Sequence, residues 1–126
     1  MAFEFEAALV VPDTRQESLS FADRCENHRH YLIIQRFDEE AGEDVLPDVE
    51  NVYIERDDQQ FGGYGGIEAV TLGSRRLTLK LTPRMAKQMG HHDTLSVGFA
   101  EDSLSDVDKL LALIFRGYES RITRVR

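Results

Sequence analysis

Residues 54–70 read IERDDQQFGGYGGIEAV. Asp57, Asp58 and Gln59 run into Gly62, Gly63, Gly65 and Gly66, with Phe61 and Tyr64 set among them. A phosphate cradle, a metal loop and the bend of a hairpin are the three readings. A phosphate-binding loop needs a Lys and a Ser or Thr directly after its last glycine, and then a helix. Here Gly66 precedes Ile67 and Glu68, at the start of a strand-like run. A dinucleotide fingerprint fails in the same way, because its glycine turn must also enter a helix. A calcium loop spreads its carboxylates over about twelve residues with a late Glu, whereas Asp57 and Asp58 are adjacent and point to opposite sides of an extended chain. The hairpin reading survives. It makes residues 51–58 and 66–72 two strands and QQFGGYGG their connection, with glycines that allow positive φ.

Period-two alternation extends outward from this stretch and predicts further strands. FEFEAALVV reads as one strand, with Phe3 and Phe5 on one face and Glu4 and Glu6 on the other. HYLIIQRF, residues 30–37, is rich in branched and aromatic residues. In NVYIER, Val52 and Ile54 share a side. IEAVTL and RLTLKL flank a short turn at Gly73, Ser74 and Arg75, and TLSVGFA follows. TPRMAKQMG reads as a short helix between Pro83 and Gly90. SLSDVDKLLALIFRGY reads as one long helix capped by Ser103, with Leu104, Val107, Leu111, Ile114, Phe115 and Tyr118 as its apolar stripe. RITRVR closes the chain as a short strand or a basic tail. Residues 38–48, DEEAGEDVLPD, read as a long acidic loop. The expected fold is a single α+β domain over residues 1–126. In it a twisted, largely antiparallel sheet is covered on one face by the long C-terminal helix, with a short helix beside it.

Charge narrows the partners. The net charge of −8 is uneven: residues 1–58 hold 16 acidic against 5 basic residues, and residues 59–126 hold 7 against 10. Such a chain repels nucleic acid and anionic membrane and attracts a basic protein. No apolar run approaches the roughly 20 residues of a membrane helix. The first residues carry Glu4 and Glu6 and no basic group, unlike an export signal. With Cys25 as the one cysteine, no internal disulfide forms, and a cytoplasmic location is expected.

No catalytic constellation rises above composition. Cys25 lies three residues before His28, and His28 and His30 share a face if extended. His91 and His92 follow Gly90. A small metal-dependent enzyme or sensor built from Cys25, His28, His30, His91 and His92 is one alternative, and a self-associating ligand-binding module is another. Zinc usually draws four ligands, and chain order supplies no second cysteine. No cofactor and no metal are therefore expected.

VYIERDDQ, YGGIEAVTL, RLTLKL and LSVGF, followed by a helix, resemble the immunity protein 10 family over roughly residues 31–115. The sharpest part is Tyr53-Ile54-Glu55 with Asp57-Asp58-Gln59, then Tyr64-Gly65-Gly66-Ile67. The resemblance implies an α+β bacterial protein without enzymatic activity that protects its cell from the toxin of a polymorphic-toxin system. Its partner would be a cognate toxin domain. On the residues themselves, the expected contact set is Glu55, Asp57, Asp58, Gln59, Phe61 and Tyr64. These carboxylates can meet basic groups, and the aromatics can anchor an interface.

Overall fold

The computed structural model describes residues 2–24, 26–27, 29–37 and 51–125. The acidic stretch 38–48, Cys25 and His28 lie outside the described residues. The described strands form two five-stranded sheets. The first contains β1 (Ala2–Glu6), β7 (Ile67–Leu72), β8 (Arg76–Leu81), β9 (Thr94–Gly98) and β10 (Ile122–Arg124). Its order is β1-β9-β8-β7-β10, an antiparallel meander with β1 and β10 added in parallel at the two edges. The second contains β2 (Leu9–Asp13), β3 (Ser18–Ala22), β4 (Tyr31–Arg36), β5 (Val52–Arg56) and β6 (Asp58–Tyr64), paired antiparallel in chain order.

This architecture corrects the α+β expectation: the protein is mostly β, with two sheets rather than one, and it has no long C-terminal helix. FEFEAALVV is not one strand. The Ala7 amide still bonds to Gly98 in the first sheet, and the Ala8 amide bonds to Ala22 in the second. One peptide thus carries the chain between sheets at two residues with minimal side chains.

SLSFA, which is β3, was not anticipated as a strand. Leu19 and Phe21 are almost wholly buried while Ser18 and Ser20 face the other way. Burying each of the two apolar side chains contributes about 2 kcal/mol.

Most of the predicted connection QQFGGYGG, residues 59–64, is itself strand. β5 pairs with β6, not with β7, and the bend between them is the single residue Asp57 at φ 64°. The true passage between sheets is Gly65-Gly66, with φ of 74° and 82°. Both angles lie in the left-handed region that favours glycine. Gly65 donates to Val52 of β5, and Gly66 accepts from Thr82 at the next helix.

That helix, α1 (Pro83–Gln88), is capped by the Thr82 hydroxyl and packs on β6 and β8. The other, α2 (Leu104–Ile114), has 11 residues and packs on β2, β3 and β4. It buries Val107, Leu110, Leu111 and Ile114. The expected cap Ser103 makes no side-chain capping bond, because it sits in a preceding 3-10 turn. The expected continuation to Tyr118 fails at its end. The Arg36 guanidinium donates to the carbonyls of Ile114 and Arg116, at 3.1 and 2.8 Å, and so satisfies the last turn there.

The glycine passage generates a test. A β-carbon on Gly66 would stand 2.5 Å from the Met85 β-carbon at an unfavourable φ. Gly66→Ala is therefore expected to cost well over ~1 kcal/mol in urea unfolding. Gly117→Ala, at φ 90° but with open space around it, is expected to lose only the backbone part, about 1 kcal/mol.

Candidate functional site

The two sheets turn different outer faces to their surroundings. On the first sheet the outward rows hold Glu4, Ser96, Thr78 and Thr71, and then Glu6 and Arg76. Arg76 pairs with Glu6 at 2.6 Å and bonds the Ser96 hydroxyl at 2.8 Å, and Lys80 lies 3.8 Å from Glu68. Two cross-strand ion pairs thus lie on this sheet.

The second sheet is built otherwise. Its ladder aligns three outward rows. Leu9, Ala22 and Tyr31 form the first. Val11, Ser20, Ile33, Glu55 and Gly62 form the second. Asp13, Ser18, Gln35, Tyr53 and Tyr64 form the third. Leu9, Val11, Ser20, Ala22, Tyr31 and Ile33 line a shallow groove of ≈ 460 Å³, with Arg24 at its margin. Small residues on β3 make the floor, and branched residues on β2 and β4 make the walls. Among the described residues, three of the four exposed large hydrophobics belong to this face or its rim: Val11 at 45%, Phe37 at 39% and Tyr64 at 51%. The rings of Phe37, Tyr53 and Tyr64 contact one another, with centroids 5.1 to 6.3 Å apart.

Glu55 lies between groove and rings and is buried, at 8% exposure. Tyr53 donates its hydroxyl to one carboxylate oxygen at 2.5 Å, and Tyr31 donates to the other. Two neutral donors thus hold one buried anion. Burial, and then the bond to Glu55, pushes the Tyr53 hydroxyl up to about 12. The Tyr31 hydroxyl is raised for the same reasons in the same order.

The six expected contact residues do not form one surface. Glu55 and Tyr64 belong to the outer face just described. Asp58 and Gln59 are exposed at the start of β6, where the Asp58 carboxylate caps the Gln60 amide. Asp57 and Phe61 are tied into the interior. The Asp57 carboxylate accepts from the Tyr31 amide at 3.0 Å, lies 3.0 Å from His30 Nδ1 and receives Arg56 at 3.2 Å. The Phe61 ring lies 4.0 Å from the Arg56 guanidinium, which also meets the Phe3 ring at 4.6 Å. Asp57 is thus the keystone of a turn, which corrects its reading as part of an exposed loop.

Tyr31, Val11 and Ile33 were not singled out from sequence, and Tyr53 only as part of the family motif. Their signal was present in the alternation, since Val52 and Ile54 facing inward leave Tyr53 and Glu55 facing out.

One histidine from each pair enters the same region. His30 and His92 both pack on Phe3, with ring centroids at 5.3 and 5.7 Å. Burial, and then the nearby Arg56, lowers the His92 pKa. His91 stands in the turn at φ 69°. Among the described residues no three His, Cys, Asp or Glu side chains converge as metal ligands.

Two expectations follow. Asp57→Ala is expected to cost about 1–3 kcal/mol in urea unfolding, because it strips a partner from Arg56 and from a backbone amide. The same change at exposed Asp58 should cost within about 0.5 kcal/mol. The tyrosines give a pH dependence. In the unfolded chain both hydroxyls ionise near 10, so stability is fully present below that pH. It falls as pH rises toward about 12, because the unfolded chain releases protons that the native state keeps. Urea midpoints at about pH 9 and about pH 11 measure the fall, and Glu55→Gln should make it shallower.

A family model described as Immunity protein 10 matches residues 7–108, which takes in both crossings between the sheets and all of the second sheet. No curated protein matches the chain. No helix among the described residues is long and apolar enough to cross a membrane. A match over so much of the chain, reaching well to the N-terminal side of the motifs around Tyr53 and Tyr64, places it: the chain belongs to the immunity protein 10 family.

Proposed function

We propose that this protein is a non-enzymatic immunity protein that neutralises the toxin domain of a polymorphic-toxin system in the bacterial cytoplasm. The outer face of β2 to β6 is the surface that meets the toxin. One observation carries the reading: this face and its rim leave Val11 exposed at a groove, and Tyr64 exposed on the opposite edge strand with Phe37 against it. An antiparallel sheet with a solvated outer face ordinarily alternates to polar residues there, as the first sheet does. A contiguous apolar patch rimmed by polar groups marks an interaction site. Aromatic side chains suit such a site because they bring large area at small entropic cost.

The net charge of −8 supports a basic partner. Like-signed surfaces would slow encounter, and opposite ones speed it. Neutralisation by occlusion requires no catalytic group, only a surface that covers the toxin's active site.

The test is binding to the toxin domain encoded beside this gene. Val11 lies on an edge strand and is 45% exposed, so Val11→Glu should leave the melting temperature unchanged. It should weaken toxin binding by about tenfold or more, because it sets a charge on the apolar lining of the groove that the toxin would cover. Parental affinity in that variant would move the interface elsewhere. Absence of any binding by the parent would remove the function.

A further inference from the structure

We infer that the outer face of the second sheet carries a socket for a single arginine side chain of the partner, formed by the Glu55 carboxylate and the rings of Tyr53 and Tyr64. The inference rests on the reading that this face meets a protein, and it specifies what the face selects.

Glu55 is the starting point. Its carboxylate is buried, and among the described residues its hydrogen bonds come from two tyrosine hydroxyls and none from a cation. Neutral donors offset only part of the cost of desolvating an anion, and an opposite charge offsets more. Each carboxylate oxygen accepts from one tyrosine and keeps a further acceptor site. Both hydroxyls hold their protons far above neutral pH, so each remains a neutral donor.

Directly across the ladder from Glu55 stands Gly62. The Tyr53 hydroxyl occupies the space that a β-carbon there would need, 2.6 Å away, so a larger residue at this position would displace the ring that holds the carboxylate. One row along, Tyr53 and Tyr64 sit side by side with centroids 5.1 Å apart, and Tyr64 is 51% exposed. An exposed aromatic face beside a carboxylate is what a cation prefers. A guanidinium suits it better than an ammonium. It is flat enough to stack on a ring, and its fork of donors reaches a carboxylate at the same time. The acidic chain attracts such a group at longer range.

A tyrosine latch that merely stiffens the sheet would show the same hydrogen bonds, so the test reads recognition directly. The probe is N-acetyl-arginine amide, titrated into the isotope-labelled protein and followed by amide chemical shifts. N-acetyl-citrulline amide, of the same shape and uncharged, is the control. Saturable shifts centred on Tyr53, Glu55, Gly62 and Tyr64 are expected with arginine and not with citrulline. Glu55→Gln keeps a hydrogen-bonding group between the tyrosines and should weaken the arginine response by about tenfold. Tyr64→Leu keeps an apolar surface and should weaken it by about threefold. Equal responses to the two probes, shifts centred elsewhere, no shifts, or an unchanged response in folded Glu55→Gln would each overturn the socket.

The toxin domain separates this proposal from the one beneath it. Loss of binding in Val11→Glu with parental binding in Glu55→Gln keeps the interface and removes the socket. Parental binding in both removes the interface as well. Weakening in both supports the two together.

Discussion

The guanidinium of Arg56 is the joint on which this structure depends. It is buried against Phe3 of β1 and Phe61 of β6, with cation–π distances of 4.6 and 4.0 Å. It donates to the Met89 carbonyl at the end of α1 and to Asp57 at the β5–β6 turn. One side chain therefore ties the first sheet to the second, and both to a helix. Removing a charge from water is costly, and stacking and charge-assisted hydrogen bonds repay it only with good geometry. Arginine can meet all of these partners at once because it is planar and presents five donors. Arg36 does the matching work at the other end of the same inner face, where it holds the carbonyls of Ile114 and Arg116 and lies 5.6 Å from the Tyr118 ring. Between the two arginines the inner face is apolar, with Leu32, Ile34, Val52 and Ile54 almost fully buried.

Closing the interior this way determines what is left for function. With α2 on the inner face of β2, β3 and β4, and α1 over β6 and β8, both helices are engaged with the core. The outer face of the second sheet then carries Leu9, Val11, Tyr31, Ile33, Tyr53 and Tyr64, residues of the kind a core would use. Residues of this kind beside a buried carboxylate are what supports the proposal that another molecule completes the layer. Membership of an immunity family supplies the class of that molecule.

The strand edges bear on the same point, since an unpaired edge invites unwanted pairing. On β6, the Gln88 side chain of α1 reaches the carbonyls of Gln60 and Gly62, at 3.5 and 3.1 Å. On β2, Pro12 removes an amide donor. Both edges of the second sheet are blunted, which favours association through its face.

The sequence by itself determined the local elements and which side of each strand is apolar. Phe3 and Phe5, Leu77 and Leu79, and Val52 and Ile54 face inward as their alternation requires, because strand periodicity is a local property. The motifs around Tyr53 and Tyr64 also sufficed for the family. What only the tertiary structure decided was which strands pair. FEFEAALVV continues as strand on both sides of Ala7 and Ala8, and nothing local says that the two amides serve different sheets. QQFGGYGG holds glycines that suit a loop, yet six of its residues belong to β6, where a side chain on Gly62 would collide with Tyr53 and one on Gly63 would crowd Met85. The candidate site follows the same rule. Glu55 and Tyr64 are legible as a carboxylate and an aromatic near a glycine run. Their meeting with Tyr31, 24 residues before Glu55, depends on register, and register is fixed by how the whole face packs.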